Sequence, residues 1–370
     1  MTADEPVELD LPPESEDADF PIDPEETAPL RDVEPITYFG TDFDVHGLVR
    51  RLKSDDIHIP SFDPATDQDG HLSGFQRRFV WKHSQMERFV ESLLLGFPVP
   101  GIFLVQQRDK SLLVLDGQQR LRTLQKFYDD EFALDGVVDD LQTLKYSTLD
   151  DEQRRSLDNV FIHATVMKYS DTSAGANAVY SIFERLNAGG TNLHPHEIRV
   201  ALYNGELVSF IRDLNTTASW RALYGGINPR LKDQELILRF IAFYVAAADY
   251  RRPLKSFLNT FLFNHRQMQG LDADVLTSSF RATCDVLSEG IGKPAFRTTN
   301  AINGALVDAV MVGVARRLGK GPIKNPVALR AAFDALVTDS TFLDAIARAT
   351  ADEERVRVRL GRATEAFAAV

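Results

Sequence analysis

Residues 111–126 read SLLVLDGQQRLRTLQK, and this stretch joins a predicted strand to a predicted helix. Leu112 to Leu115 is a short, wholly apolar run, which is typical of a buried strand. Asp116 and Gly117 interrupt that run. From Gln118 onward the apolar residues recur every three or four positions, which indicates one buried face of a helix. A carboxylate, a glycine, two amides and a guanidinium therefore stand where a core strand becomes a helix.

This junction is chemically suited to an anion. The first backbone N–H groups of a helix have no partner inside it, and the helix dipole adds partial positive charge there. Gly117 permits close approach of a ligand to the main chain, and Arg120 supplies a planar set of donors for phosphate. Asp116 fits either a helix cap or a group that holds a metal ion or a water molecule. The same pattern also occurs in turns that bind nothing.

The composition is that of an ordinary globular chain. Of 370 residues, 44% are apolar and 26% are charged, and Cys284 is the single cysteine. One cysteine forms neither an internal disulfide nor a cysteine zinc site, so we expect a buried spectator in a reducing cytoplasm. No apolar run reaches the roughly 20 residues of a membrane helix, and the N-terminus has no signal-peptide pattern. The sequence thus predicts a cytoplasmic protein without a membrane partner.

The charge is unevenly distributed. Residues 1–35 hold thirteen acidic residues and one basic residue, which accounts for −12 of the net charge of −13. This segment is also rich in proline and poor in aromatic residues, so we predict a disordered tail. The tail either remains solvated or occupies a basic groove as a nucleic-acid mimic. Residues 70–126 reverse the balance with nine basic and four acidic residues, which suits an anionic ligand but also fits a solvated surface.

The chain around the junction alternates between strand and helix patterns. We predict strands at 57–60, 102–107, 111–115 and 161–169, and helices at 45–52, from about Ser84 to Gly96, and at 174–186. Ser84 and Glu87 have the spacing of a capping box. Trp81, just before this helix, fits either a core residue or a stacking surface for a base.

The second half of the chain is predicted to be nearly all helical. His194 and His196 open a helix, and the pair is interpreted as part of a loop and cap because two ligands do not make a metal site. Asp233 and Glu235 fit either site-facing residues or a solvated helix start. Apolar periodicity predicts further helices at 236–247, 254–263, 275–287, 306–318, 328–337 and 356–369. Neither a Walker A pattern nor a Rossmann glycine pattern is present.

Three blocks of sequence resemble a known family. The first block consists of FQRRFVW and SLLLGFPVPGIFL. The second is LVLDGQQRLRTL, and the third is IFERLNAGGTNLHPHEIR at 182–199. They occur in the family's order. Together they resemble the N-terminal domain of GmrSD-type restriction systems, a ParB/sulfiredoxin-like NTPase family. The resemblance covers about residues 45–200 and implies an α+β fold with a small mixed sheet and helices, while the apolar periodicity predicts an all-helical C-terminal region after it. Together they predict domains at 36–205 and 206–370 after the acidic tail at 1–35.

The resemblance also implies a nucleotide site. The implied catalytic residues are Asp116, Gln119, Arg120 and Gln76, and the implied nucleotide-binding residues are Arg77, Gly117, Gln118, Lys82, Thr123 and Asn187. Asp116 is the implied ligand of Mg²⁺, which would accompany an NTP of unknown identity. The implied partners are the nucleoside triphosphate, DNA, and a nuclease or other defence subunit.

Two functions compete at this point, and a third alternative is a protein-interaction scaffold in which the motif is only a structural turn. The first is NTP hydrolysis by a regulatory subunit of a prokaryotic, anti-phage, modification-dependent restriction system. The second is a sensor or clamp that binds a nucleotide or DNA without hydrolysis. Family members often continue into an HNH nuclease, but here no histidine follows His265, so we expect another protein to cut the DNA.

Overall fold

The computed structural model describes residue 30 and residues 33–60, 81–187 and 193–370. Within these ranges the chain forms five strands and fifteen α-helices. The strands are β1 (Thr37–Asp44), β2 (Ile57–His58), β3 (Ile102–Gln106), β4 (Leu112–Asp116) and β5 (Phe161–Lys168). The helices are α1 (Val45–Lys53), α2 (His83–Leu94), α3 (Gln118–Tyr128), α4 (Asp151–Asp158), α5 (Ser173–Asn187), α6 (Pro195–Leu202), α7 (Glu206–Asn215), α8 (Ala218–Tyr224), α9 (Lys232–Ala246), α10 (Leu254–Asn264), α11 (Ala273–Gly290), α12 (Gly304–Leu318), α13 (Pro326–Leu336), α14 (Ser340–Ala347) and α15 (Glu353–Phe367).

The described residues divide into two compact units. The sheet unit comprises those up to residue 217 together with 226–280, and the helical unit comprises 218–225 with 281–370. The predicted α+β class, with a small mixed sheet and a helical C-terminal region, is confirmed. The domain boundary at 205/206 stays a prediction, and so does the disorder of the acidic tail, because residues 1–29 lie outside the described ranges. In the described part of the chain, no helix combines the length and apolarity needed to cross a membrane.

The strands form one mixed sheet in the order β1-β5-β3-β4-β2. The β1–β5 and β3–β4 pairs are antiparallel, whereas the β5–β3 and β4–β2 pairs are parallel. Side chains alternate between the two faces of a strand, so the register assigns each residue to a face. We call the face that carries Ile102, Leu104 and Ala164 the core face. The opposite face carries Phe103 and Thr165, and we call it the cavity face because these two residues line a cavity described below.

The core face is covered by α1 to α4. Their apolar side chains form one buried cluster with the strands, including Leu48 of α1, Val90 of α2, Leu124 of α3 and Leu157 of α4. Helix α3 contributes through Leu121, Leu124 and Phe127, all without exposed surface. The helical spacing read in the sequence therefore sets how α3 lies against the sheet, and hence where its first turn is placed.

Helix α2 begins differently from its predicted cap. Lys82 is the N-cap residue, and its backbone N–H donates to Oε1 of Gln85 at 2.8 Å. The predicted Ser84–Glu87 capping box is therefore wrong. Glu87 is buried instead, and its Oε1 accepts the backbone N–H of Asp135 at 3.0 Å. The carboxylate ties α2 to a later loop, a contact that local spacing does not reveal.

Buried polar groups link α6, α7, α9 and α10 in the sheet unit. Arg199 is fully buried, and it donates to Oδ1 of Asn259 at 2.9 Å and to Oε2 of Glu235 at 3.2 Å. Asp233 is buried too, and it accepts from Nδ2 of Asn215 at 2.9 Å. Asp233 and Glu235 therefore do not belong to a solvated helix start, because each has a partner on another helix.

The helical unit has its own buried ion pair. Nη2 of Arg359 on α15 lies 2.8 Å from Oδ2 of Asp308 on α12, and both side chains are at most 1% exposed. Cys284 is buried, as predicted, and burial raises the pKa of its thiol, with Asp285 as a second cause. Asn325 and Asp352 cap α13 and α15 through their side-chain oxygens.

Candidate functional site

The strand–helix corner has the geometry that its glycine indicates. Strand β4 ends at Asp116, and Gly117 has φ 97° and ψ 8°, a left-handed conformation that L-residues rarely adopt. A Cβ atom at this position would lie 2.4 Å from Cγ2 of Ile102, which is buried in the core face. Gly117 is therefore required twice, by its backbone angles and by close packing against Ile102. Helix α3 starts at the next residue.

A register shift in the sheet determines which way Asp116 faces. Phe103 pairs with Asp116, but the following residue Leu104 pairs with Val114, so Leu115 is one extra residue in β4. Such a bulge redirects the side chains beside it. Residues directly opposite each other share a face, so Asp116 lies on the cavity face with Phe103. The acid thus does not cap α3, whose N-cap is Gly117 without a side-chain hydrogen bond.

The guanidinium of Arg120 is held from two sides. Its Nη2 donates to Oδ2 of Asp116 at 3.1 Å, and its Nη1 donates to the carbonyl oxygen of Pro100 at 3.0 Å. The Arg120 side chain is 12% exposed, whereas that of Asp116 is 50% exposed. The structure therefore brings Asp116, Gly117 and Arg120 together. It also gives each Nη atom of Arg120 a hydrogen-bond acceptor.

The other predicted residues of α3 face different surroundings. Oε1 of Gln119 is buried and has no hydrogen-bond partner among the described residues. The Thr123 hydroxyl donates to the carbonyl oxygen of Gln119 at 2.8 Å, and Thr123 has no exposed surface. Gln118 is the first residue of the helix and is partly exposed. Gln119 therefore offers an unused acceptor, while the Thr123 hydroxyl is already satisfied within its own helix.

The remaining predicted residues are placed only in part. Lys82 is exposed at the start of α2. Gln76 and Arg77 lie outside the described residues, and for Asn187 only the backbone is described, as the last residue of α5. Trp81 packs edge-on against Phe89 at 5.5 Å between ring centroids, at the border of the core. Its described contacts are those of a core aromatic residue.

A cavity of about 900 Å³ lies on the same face of the sheet as Asp116. Phe103 forms part of its wall and is the direct strand partner of Asp116, so the two are neighbours. The wall is largely apolar but includes the charged side chains of Glu34, Glu184 and Arg185. The other lining residues are Leu30, Val33, Ile36, Tyr38, Thr165, Met167, Ala178, Ser181 and Ile182. Sequence reasoning missed this cavity because its lining comes from four separate segments.

One wall of the cavity is fixed by the segment before β1. The carboxylate of Glu34 accepts hydrogen bonds from the hydroxyls of Ser170 and Thr172, the latter at 2.9 Å. These bonds, that from Ser170 above all, lower the pKa of Glu34. Glu184 on α5 pairs with the buried Lys255 at 2.9 Å. Both carboxylates at the cavity therefore have fixed partners.

A second concavity of about 910 Å³ in the sheet unit is polar. Arg108, Arg212 and Arg266 all line it. The guanidinium of Arg108 lies 5.3 Å from the ring centroid of Phe263 and pairs with Asp171. Nε of Arg212 is buried without a hydrogen-bond partner among the described residues, and burial lowers the pKa of Arg266. We call this surface the arginine groove.

Comparison with known proteins identifies part of the chain. Residues 65–204 match the family model described as "GmrSD restriction endonuclease, N-terminal domain". The matched segment contains β3, β4, β5 and α3, and therefore the whole Asp116–Arg120 corner. No curated protein and no solved structure matches the chain. Residues 65–204 are thus similar to the N-terminal domain of GmrSD restriction endonucleases, which suggests a role related to restriction systems.

Proposed function

We propose that this chain binds a nucleoside triphosphate and hydrolyses it with Mg²⁺, as the regulatory component of a modification-dependent, anti-phage restriction system. The observation that carries the proposal is the corner formed by Asp116, Gly117 and Arg120 beside a 900 Å³ cavity, inside the segment that matches the family. A helix start that leaves backbone N–H groups open, next to a guanidinium, is a chemical match for a polyphosphate.

Each residue at the corner has a proposed role. Arg120, assisted by Arg77, neutralises phosphate charge while the first amides of α3 bind phosphate oxygens. Gln119 or Gln76 orients the water that attacks the terminal phosphorus; the bridging P–O bond breaks, and phosphate and a nucleoside diphosphate leave. The unpartnered Oε1 of Gln119 supports its role, because an amide oxygen can accept a hydrogen bond from that water. Lys82, Gln118, Thr123 and Asn187 remain in the proposed binding set.

Asp116 is the proposed ligand of Mg²⁺. Arg120 engages Oδ2, so Oδ1 of this half-exposed carboxylate remains available. A hard carboxylate oxygen is a donor that Mg²⁺ prefers, and the ion would add positive charge beside the phosphates. Because Asp116 also binds Arg120, the arrival of nucleotide and metal would transfer the guanidinium from the carboxylate to a phosphate oxygen.

The cavity is the proposed place of the base and sugar. Its volume lies in the range of small-molecule sites, and its apolar wall with a few charged groups resembles such sites in general. Phe103 and Tyr38 supply aromatic surface. Since Phe103 pairs directly with Asp116, a nucleotide with its base in the cavity would have its phosphates near the corner.

Nucleotide turnover by purified protein tests this proposal. We expect Mg²⁺-dependent phosphate release by the wild type, and a loss of about 100-fold or more in Arg120→Ala and in Asp116→Asn. Lys126→Ala is the matched control, since Lys126 lies on the same helix and pairs with the exposed Glu131. All assays are run with and without DNA. Equal rates for the wild type and both site variants would reject the assigned residues.

A second candidate function is binding without turnover. The arginine groove favours it, because three guanidinium groups with nearby amides suit a DNA backbone. In this case the chain senses or clamps DNA, or a nucleotide, and a partner nuclease performs the cutting. Residues 281–370 contain no histidine, which supports a partner with its own metal site. Nucleotide or DNA binding with no phosphate release, even when both are present, would favour this function over the first.

A further inference from the structure

Three potential metal ligands converge where the first turn of α2 meets the segment that follows α3. They are His83 and Glu87 of α2 and Asp135 of the segment that follows α3. One ligand atom from each lies within 4.8 Å of the other two, and no other group in the described ranges meets this condition. Nδ1 of His83 and Oε1 of Glu87 are 3.6 Å apart. That separation is close to the distance between neighbouring ligands of a tetrahedral metal ion.

His83 is the only basic side chain that pairs with either carboxylate among the described residues. Glu87 is 5% exposed, and Asp135 brings a second carboxylate beside it. Among the described residues, no lysine or arginine forms an ion pair with either acid, and His83 is neutral unless protonated. Buried carboxylates are normally paired with a cation or bound to a metal. A divalent ion would compensate both charges and use the imidazole in its neutral form.

The loop that carries Asp135 leaves space beside the Glu87 carboxylate. Oε1 of Glu87 accepts the Asp135 N–H at 3.0 Å, and Oε1 of Glu91 accepts the Val138 N–H at 2.8 Å, so the loop is fixed to α2 at two points. A Cβ atom at Gly136 would lie 2.9 Å from Oε2 of Glu87. A side chain there would occupy the space beside the carboxylate. His83 and Asp135 are exposed, which leaves an open path for an ion and for water ligands.

We propose that His83, Glu87 and Asp135 bind a divalent first-row transition metal ion, with Zn²⁺ as the best chemical match. One imidazole nitrogen and two carboxylate oxygens are ligands that Zn²⁺ accepts in four-coordinate sites, with water in the fourth position. Mg²⁺ is disfavoured, because it requires a nearly regular octahedron of oxygen ligands. The ion would be structural: it would join α2 to the loop after α3, and its binding would stabilise the sheet unit.

Calorimetric titration of tag-free protein with Zn²⁺, and with Co²⁺ as a spectroscopic probe, tests the proposal. We expect one ion per chain, a higher midpoint of thermal unfolding with Zn²⁺, and no response to Mg²⁺. His83→Gln and Asp135→Asn should each weaken Zn²⁺ binding by at least about tenfold, as loss of a ligand generally does at metal sites. Both side chains are exposed, so these variants leave the core intact, and circular dichroism confirms their folding.

His163→Gln is the matched control. Nδ1 of His163 lies 2.9 Å from Oδ1 of Asp42. This exposed pair offers only two potential metal ligands, so it does not form a site of three. The variant should bind Zn²⁺ as the wild type does. Absence of stoichiometric binding, or an affinity that changes less than twofold in both His83→Gln and Asp135→Asn, would overturn the proposal. These measurements do not involve nucleotide, so their outcome is independent of the proposed NTPase activity.

Discussion

At the scale of single residues, Gly117 is the position on which the corner depends. Its φ of 97° and its approach to Ile102 both exclude a side chain. We expect Gly117→Ala to lower the free energy of unfolding by about 2–4 kcal/mol, through backbone strain and a clash in the core. Gly96→Ala is the control, because Gly96 has φ 71° but nothing within 4 Å of the added atom. Gly96→Ala should lower the free energy of unfolding by only about 1 kcal/mol, which is the cost of placing alanine in a left-handed conformation. Urea denaturation measures both, and equal losses would contradict the packing argument.

The buried side chain of His196 makes the stability of the fold depend on pH. Burial lowers its pKa well below the usual 6.5, with Arg199 and His194 as further causes. The unfolded chain therefore gains a proton near pH 6.5 while the folded chain does not, so stability falls as the pH drops from 6.5 toward the folded pKa. Between these two pKa values, the loss of folding stability due to His196 approaches about 1.4 kcal/mol per pH unit. Neither ring nitrogen has a hydrogen-bond partner among the described residues.

The variant His196→Gln tests this account, because glutamine does not titrate. Thermal unfolding between pH 7.5 and 5 should show a shallower loss of stability in the variant than in the wild type. His46→Gln is the control, since the His46 side chain is 60% exposed, and it should retain the wild-type slope. Identical slopes in the wild type and His196→Gln would show that another group causes the acid sensitivity.

Sequence reasoning at this scale found the residues of the corner but not all their partners. The spacing of Asp116 and Arg120, four positions apart across a helix start, already places them near each other. Nothing local indicates that Pro100 supplies the second acceptor for Arg120, because that contact depends on how two strands and a loop pack. The same holds for Glu87, whose partner Asp135 lies 48 positions away.

At the scale of elements, strong apolar periodicity predicted strands and helices well. Strands β3 and β4 and helices α3 and α5 were located within a few residues, because each buries a clear face. Strand β1 was missed: it reads TYFGTDFD, lies at the sheet edge and is largely exposed, so its residues show no alternating pattern. Helix α4 was missed because Leu157 is its only buried residue. Both depend on long-range pairing rather than on local pattern.

Helices α12 and α15 of the helical unit approach closely at a glycine. A Cβ atom at Gly313 would lie 2.9 Å from the backbone carbon of Ala363. Backbone atoms cannot move aside as a flexible side chain can, so Gly313→Ala should destabilise the unit by about 1–3 kcal/mol. Gly361→Ala on α15 is the control, since nothing lies within 4 Å, and its higher helix propensity should add about 0.5–1 kcal/mol. Opposite shifts in the unfolding midpoint are expected; a stabilised Gly313→Ala would contradict the close approach.

At the scale of the whole molecule, the separation of charge along the chain is the feature most readily taken from the sequence. Residues 1–29 hold eleven acidic residues and no lysine or arginine, so the rest of the chain carries −2 of the total −13. The arginine groove could not be predicted in this way. Its basic residues, Arg108, Arg212 and Arg266, are far apart in sequence and meet only through the fold of the sheet unit.

These two features together predict how the proposed DNA binding would depend on the acidic segment. Whether it remains solvated or occupies the groove, a run of carboxylates opposes a second polyanion. We therefore expect deletion of residues 1–29 to raise affinity for a DNA duplex several-fold at about 50 mM salt, and the gain to vanish near 300 mM, where screening is strong. The deletion keeps Leu30, Val33 and Glu34, which line the cavity.

Two comparisons by fluorescence anisotropy make this prediction decisive. A variant with the same length but with the eleven acids changed to asparagine or glutamine should behave like the deletion, because charge rather than bulk is the cause. In the deletion background, Arg212→Ala should reduce the slope of log affinity against log salt by about one, which is the signature of one lost phosphate contact. Arg330→Ala is the control, since Arg330 pairs with the exposed Asp334 on α13, outside the groove. Unchanged affinity after deletion at low salt would separate the acidic segment from DNA binding, and an unchanged slope in Arg212→Ala would place the DNA elsewhere on the molecule.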